Sequence, residues 1–373
     1  MSTLADTVNP GVALIKSLEV SAYKIPTASP ESDGTLSWDS TTLVLVEITA
    51  AGRRGLGYTY AHVSATTVIS DLLQPLVMAG NAFDVPALHA KMTAAVRNNG
   101  QTGLAMMAIS AVDNALWDLK AKLLGLPLCR LLGQARDGML LYGSGGFTNY
   151  DKNQLKGQLA GWAEQGFGQV KIKIGSEPAQ DVHRVREARN AIGKDTGLFV
   201  DANGAFSVKE ALEKADRFRE YDVGWFEEPV RSDDLAGLRR IRREAPSGMA
   251  IAAGEYGFNL PYYQQMLEAS AVDVIQADAT RCGGITNFLR AGALAAAWQI
   301  PFSSHCAPAI HLHAALSLPD FYIAEYFFDH ARIEDILFDG MNPPVKSCLY
   351  PDLTRPGLGL EFRHRDAEKY RVS

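Results

Sequence analysis

From about residue 136 onward, short apolar runs alternate with longer stretches whose apolar positions recur every three or four residues. The runs include "GQVKIKIG", "GLFVDANG", "VGWFEEP", "MAIAAGE", "VDVIQAD", "IPFSSH" and "FYIAE". Between them lie segments such as "VKEALEKADRFREYD" and "TNFLRAGALAAAW". Runs this short and this apolar predict strands buried on both faces, and the intervening period predicts helices, which together give βαβ units and a parallel sheet. Each run ends on a reactive side chain: Lys173, Asp201, Glu227, Glu255, Asp278, His305 and Glu325, in steps of 28, 26, 28, 23, 27 and 20 residues. Seven or eight units at this period predict a closed (β/α) barrel running from about "MLLYGSGG" to "FYIAEY". The C-terminal ends of all strands of such a barrel open on one face. Side chains scattered over the second half of the chain would therefore converge in one mouth.

Residues 1–135 break this rhythm. A strand is predicted near 17–24, and "STTLVLVEITAAGRRGLGYTYAH" reads as an antiparallel hairpin around a Gly/Arg turn. Three helical stretches follow, the last being "GLAMMAISAVDNALWDLKAKLLG", which stops at Gly125 and Pro127. These elements form a separate α+β domain. The stretch "PTASPESDGTLSWDS" is rich in Pro, Ser, Asp and Gly and is expected to be a mobile loop, yet it carries Trp38, which a merely solvated loop does not need. The tail "PDLTRPGLGLEF" is turn-rich with a short final strand. The division expected is 1–135, 136–329 for the barrel, and 330–373 returning onto both.

Composition adds exclusions. The chain has 373 residues, 47% of them apolar and 21% charged, with a formal net charge of −6. Nothing in that balance favours nucleic acid or an anionic membrane. No apolar run is long enough to span a bilayer, and no short apolar segment follows a basic start. The four cysteines, Cys129, Cys282, Cys306 and Cys348, have no motif spacing and are expected as reduced thiols in a cytoplasmic protein.

The chemistry follows from the strand ends. Three carboxylates, Asp201, Glu227 and Glu255, on successive strands cannot all stay ionised side by side unless something neutralises them. A Mg²⁺ ion would do so with oxygen ligands and open positions for substrate; the plain alternative is that each acid caps a helix or pairs with an arginine. Lys171 and Lys173, two apart on a strand, face the same side. Their adjacency to each other and to a metal is expected to depress both pKa values and leave one as a base. Asp278 beside His305 would fix the ring's tautomer and raise its basicity. Thr148, Asn149, Tyr150, Tyr256 and Arg281 follow predicted strand ends and are expected to line the mouth with polar groups. "HCAPAIHLH" does not make a zinc site, because His311 and His313, two apart on a helix, diverge. "YGSGG" and "CGGIT" could cradle a phosphate at a helix start, or be simple turns.

At this point the motifs K-x-K, D-x-N, E-E-P, G-E, D-x-x-x-x-G-G and S-S-H stand in one order with "AISAVDNALWDLKAKLLGLPLCRLLG" (108–133) upstream. Over nearly its whole length the sequence resembles the mandelate racemase subgroup of the enolase superfamily. That resemblance implies a modified TIM barrel, (β/α)7β, under an N-terminal α+β capping domain, and Mg²⁺ on Asp201, Glu227 and Glu255. It implies Lys173 as one base, with Lys171 near the substrate carboxylate, and His305 with Asp278 as the opposite base. Glu325 would bond the substrate carboxylate, and Asn203 and Ser144 its oxygens. The loops around 25–40 and 58–65, with Trp38 and Tyr60, and Arg281 would set specificity. Where the muconate-lactonizing subgroup has a lysine five residues before G-G, this chain has Asp278, which favours a Lys/His pair over Lys/Lys. The implied substrate is a small carboxylate and the implied assembly a homo-oligomer, dimer to octamer. Loss of the proton α to a carboxylate, then dehydration of an aldonate or aldarate to a 2-keto-3-deoxy acid, is the expected reaction. Racemisation or epimerisation of a 2-hydroxy acid, or cycloisomerisation of a sugar-acid lactone, are the alternatives. A binding protein on the same scaffold would require a broken ligand set, and here the set is intact.

Overall fold

The computed structural model describes residues 11–373. Three antiparallel strands open it: β1 (Ile15–Ser32), β2 (Ser37–Ala50) and β3 (Arg53–Tyr60). One face of this sheet packs on the 20-residue helix Leu104–Leu123, whose Ala- and Leu-rich stripe buries Ala108, Ile109, Ala111, Val112, Ala115 and Leu116. Gly55 and Gly57 of β3 meet this helix so closely that a Cβ at either would collide with its backbone. Glycine is needed there for close approach.

The segment expected as a mobile loop is instead a paired extension of the β1–β2 hairpin. Glu31 lies opposite Trp38 and Ser32 opposite Ser37 across it. Its polar residues are used for docking: Ser32 Oγ bonds Thr148 Oγ1 at 2.6 Å, and Asn149 Nδ2 donates to the Pro30 carbonyl at 2.6 Å. Composition could not report these partners, which lie more than a hundred residues away.

Eight parallel strands then close on themselves: β4 (Met139–Gly145), β5 (Gln169–Lys173), β6 (Gly197–Asp201), β7 (Val223–Glu227), β8 (Ala250–Ala253), β9 (Val274–Ala277), β10 (Phe302–Ser304) and β11 (Phe321–Phe327), with β11 pairing back to β4. Seven helices connect the eight strands, so the barrel is (β/α)7β. Their starts are locally encoded: Asp151 with Gln154, and Ser207 with Glu210, form reciprocal capping boxes. The lower barrel is plugged by Tyr142, Phe199, Trp225, Ala252, Val274 and Ile323. Inward positions one layer higher are polar, and that is where the chemistry sits.

The helix Leu104–Leu123 also locks the cap to the barrel. Ser110 Oγ accepts from the Gly283 and Gly284 amides at 2.8 and 3.1 Å, Asn114 Oδ1 from Ile285 at 3.0 Å, and Asp113 from Thr286 at 2.9 Å. These amides start the helix Gly284–Ala297, so the "CGGIT" turn binds the cap rather than a phosphate. Downstream, Asp118 accepts from Leu56 and from Leu358 of the tail, and the tail's Val372 amide reaches the Ala22 carbonyl of β1.

Candidate active site

Strand register brings the site together. Lys173 of β5 lies beside Asp201 of β6, and Asp201 beside Glu227 of β7. Glu255 follows β8, Asp278 follows β9, His305 follows β10, and Glu325 is within β11. All of these side chains are buried.

Asp201, Glu227 and Glu255 each place a carboxylate oxygen within 4.8 Å of the others. Glu255 Oε2 is buried without a hydrogen-bond partner, as is Oε1 of the neighbouring Glu228. Burial, reinforced by Glu255, Asp201 and Glu227, holds the Glu228 carboxyl well above its ordinary pKa. Such a crowd of hard oxygen donors fits a divalent cation such as Mg²⁺.

Lys173 Nζ bonds Asp201 Oδ2 at 2.5 Å. Lys171 Nζ, fully buried, contacts Glu227 Oε1 at 2.7 Å and Glu325 Oε1 at 2.8 Å. Burial acts to lower both lysines, and Lys171 also acts to lower the Lys173 pKa, as expected of adjacent ammonium groups. The surrounding carboxylates outweigh both effects: Glu227, Glu325 and Asp201 raise Lys171 well above the ordinary value, and Asp201 raises Lys173. Carboxylates closer than the second ammonium decide the sign.

After β10, His305 Nδ1 stands 2.8 Å from Asp278 Oδ2. Asp278 Oδ1 is fixed by the Thr280 amide and hydroxyl, both at 2.7 Å. Burial lowers the His305 pKa, yet Glu255, the Asp278 hydrogen bond and Glu325 raise it on balance. Against its own burial, the bond and charge of His305 hold Asp278 well below the usual carboxylate range. The Asp278 carboxylate thus presents His305 Nε2 to the cavity.

That cavity, about 350 Å³, opens between cap and barrel. Lys173, Asn203, Glu255, Arg281 and His305 line it from the barrel, and Trp38 and Tyr60 from the cap. Tyr256 is at its rim, with Arg281 stacked on the ring. Lys171, Glu325 and Ser144 lie one layer below: Ser144 Oγ donates to Glu325 Oε1 at 2.6 Å, and Glu325 Oε2 accepts the Cys306 amide at 2.8 Å. Thr148, Asn149 and Tyr150 are not in this cavity; they belong to the seat of the hairpin and a separate cleft over Arg184. They follow β4, whose loop turns outward at Gly146, φ +53°.

Thr41, Thr42, Cys306, Phe327 and His330 of the wall were missed from sequence. His330, two residues into the helix after β11, stacks on Tyr60 with ring centroids 3.5 Å apart, and burial holds its pKa down to about 3. Cys306 Sγ lies 3.1 Å from His305 Nε2. Its place directly after S-S-H was a usable signal; the position of His330 was not. His305, Cys306 and Glu325 also cluster within 4.8 Å. His311 and His313 point apart, His311 Nε2 toward the Ala279 amide and His313 toward Cys129 and Leu358.

Two family models cover the chain. Residues 18–133 match the mandelate racemase/muconate lactonizing enzyme N-terminal domain, and residues 154–367 match the enolase C-terminal domain-like family. The chain belongs to the mandelate racemase/muconate lactonizing enzyme family of the enolase superfamily. A solved mandelate racemase/muconate lactonizing enzyme-like protein from Rubrobacter xylanophilus is 50% identical, with a TM-score of 0.94 over 96% of this chain and 100% of that one. L-talarate/galactarate dehydratase of Salmonella typhimurium is 30% identical over 82% of this chain and 79% of its own; its structure, liganded with Mg and L-glucarate, superposes with a TM-score of 0.89. Arabinonate dehydratase of Saccharolobus solfataricus is 29% identical over 88% of this chain and 90% of its own.

Proposed function

We propose that this protein is a Mg²⁺-dependent dehydratase of a sugar acid, forming a 2-keto-3-deoxy acid. The observation that carries the reading is that Lys173 at the end of β5 and His305, bonded to Asp278, after β10 line one polar cavity, with Asp201, Glu227 and Glu255 at the ends of the intervening strands β6, β7 and β8. Asp201, Glu227 and Glu255 would hold the ion. Bound there, Mg²⁺ supplies Lewis-acid stabilisation of the charge that develops on the substrate carboxylate, and takes up the acidic charge that otherwise keeps Lys173 protonated.

The chain's own residues supply the rest. Lys173, as the free amine, removes the proton α to the carboxylate. His305, its Nδ1 held by Asp278, gives the Nε2 proton to the β-hydroxyl as the carbon–oxygen bond breaks, and water leaves. The enol product tautomerises to the keto acid. The Asp278 carboxylate at Nδ1 stabilises the protonated ring that the step requires. Lys171, Ser144 and Glu325 form the layer that orients the carboxylate end, and Asn203 offers a buried, unpaired amide oxygen to a substrate hydroxyl. In this reading residues 1–135 cap the barrel and supply specificity. We further read the protein as a cytoplasmic homo-oligomer; among the described residues no helix is long and apolar enough to cross a membrane, and the four cysteines are free.

The test is a library of sugar acids with Mg²⁺ in D₂O, followed by proton NMR. Dehydration gives a keto acid with deuterium at C3. Chelation should abolish it, and Lys173→Ala should lower kcat by more than about a hundredfold, the scale of a lost general base. Exchange and inversion at C2 with no keto acid from any substrate would make the protein a racemase instead. Full turnover in metal-free protein would remove the ion from the reading.

A further inference from the structure

The chemistry of the cavity's far wall separates two kinds of sugar acid. An aldarate ends in a second carboxylate; an aldonate ends in a hydroxymethyl group. The reacting end is fixed by Lys173, His305 and the three acids, so the far end of the substrate meets the cap.

That side carries no lysine or arginine among the described lining residues, and its one charged side chain is Asp33. Asp33 Oδ1 is held by the Thr35 and Leu36 amides at 2.6 and 2.7 Å, which keeps the carboxylate at the hairpin turn. Two donors on this wall are already committed. The Trp38 indole N–H goes to Glu31 Oε2 at 2.9 Å, and the Thr41 hydroxyl proton goes to Asp329 Oδ2 at 2.6 Å. Thr41 Oγ1 therefore faces the cavity as an acceptor. His62, exposed on this side, accepts the Ser64 amide at Nδ1, which leaves its Nε2–H as a neutral donor but no cation. Arg281 is the remaining guanidinium, and it is matched by Glu255 at 3.4 Å and Asp278 at 3.7 Å. His330 is kept neutral by burial.

A second carboxylate placed beside Asp33, with no lysine or arginine on that side, is repelled, whereas a hydroxyl can donate to the acceptors present and lay its C–H face on Trp38. We infer that the enzyme is selective for monoacids: its substrate is an aldonate with a neutral hydroxylated tail, and the cap wall around Asp33, Trp38 and Thr41 rejects a second terminal carboxylate. This inference rests on the sugar-acid reading above and narrows it.

The experiment uses the full-length Mg²⁺ holoenzyme and pairs of aldonates and aldarates that share configuration at every common centre. Both keto-acid formation and equilibrium binding by calorimetry are measured. The expected result is at least about a tenfold preference for the aldonate, the scale on which one mismatched charged group shows. Ser40→Arg, which adds a cation at the half-exposed cavity edge, should shrink or reverse that preference. Equal or better binding and turnover of the aldarate by the unsubstituted enzyme would overturn the inference. If no pair gives keto acid, the dehydratase reading fails separately, and the ratio of dissociation constants still decides the tail preference.

Discussion

In the proposed reaction Asp278 would act on His305 without touching the reacting atoms. Its Oδ1 is tied to Thr280 and its Oδ2 to His305 Nδ1, so the carboxylate is both oriented and ionised. Asp278→Asn keeps the shape and removes the charge. Keto-acid formation should fall by about 10–100-fold, the usual cost of losing such a supporting carboxylate. Exchange of the C2 proton with solvent, the work of Lys173, should persist. Parallel loss of both, read by NMR in D₂O, would mean that Asp278 serves the fold rather than His305.

At the scale of elements, the β1–β2 hairpin is the piece of the cap that reaches the barrel mouth. Its tip reaches across the mouth, and Gly34 lies under the carbonyl oxygens of Ala202 and Ile174 so closely that a Cβ would collide with both. Ala202 and Ile174 directly follow β6 and β5, the strands that carry Asp201 and Lys173. Gly34→Ala should therefore lift the tip and loosen the wall formed by Asp33 and Trp38. Overpacking of this kind costs about 1–3 kcal/mol, so KM should rise about fivefold or more, with a smaller change in kcat and little change in Tm. A lowered Tm with unaltered KM would place the strain in the barrel instead.

For the whole molecule, the cap–barrel junction is built from buried polar pairs, and one of them sets a pH dependence. Tyr58 OH of the cap donates to Glu334 Oε1 at 2.5 Å, and the Ala309 amide donates to Oε2 at 3.1 Å. Burial pushes the Glu334 pKa up to about 8. The folded state then binds a proton that the unfolded state releases, so this group's stabilisation is fully present below the ordinary carboxylate pKa and is lost as pH rises toward 8. The slope is at most about 1.4 kcal/mol per pH unit. Glu334→Gln keeps both hydrogen bonds possible and cannot ionise. Denaturation followed from pH 5 to pH 9 should show the variant gaining on the parent across that window, and parallel curves would remove Glu334 as the source.

By itself the sequence determined the barrel, the cap and the order of the chemistry. Parallel strands buried on both faces leave a dense apolar signature, and a reactive residue at each strand end repeats at the βα period, so Lys173, Asp201, Glu227, Glu255, Asp278, His305 and Glu325 could be placed in one mouth before any coordinates. Motif order added the family. Only the tertiary structure decided what those residues face. The lysine pKa values depend on which charge is nearest, and Asp201 and Glu227 stand closer to the lysines than strand spacing could reveal. The hairpin at 26–40 looked like a free loop because its partners, Thr148 and Asn149, are remote in sequence. Those same two residues left the mouth for the hairpin's seat, and His330 entered the wall through a helix whose rotation no local pattern encodes. Strand ends are fixed by a short repeat; loop and helix faces are fixed by partners from the other half of the chain.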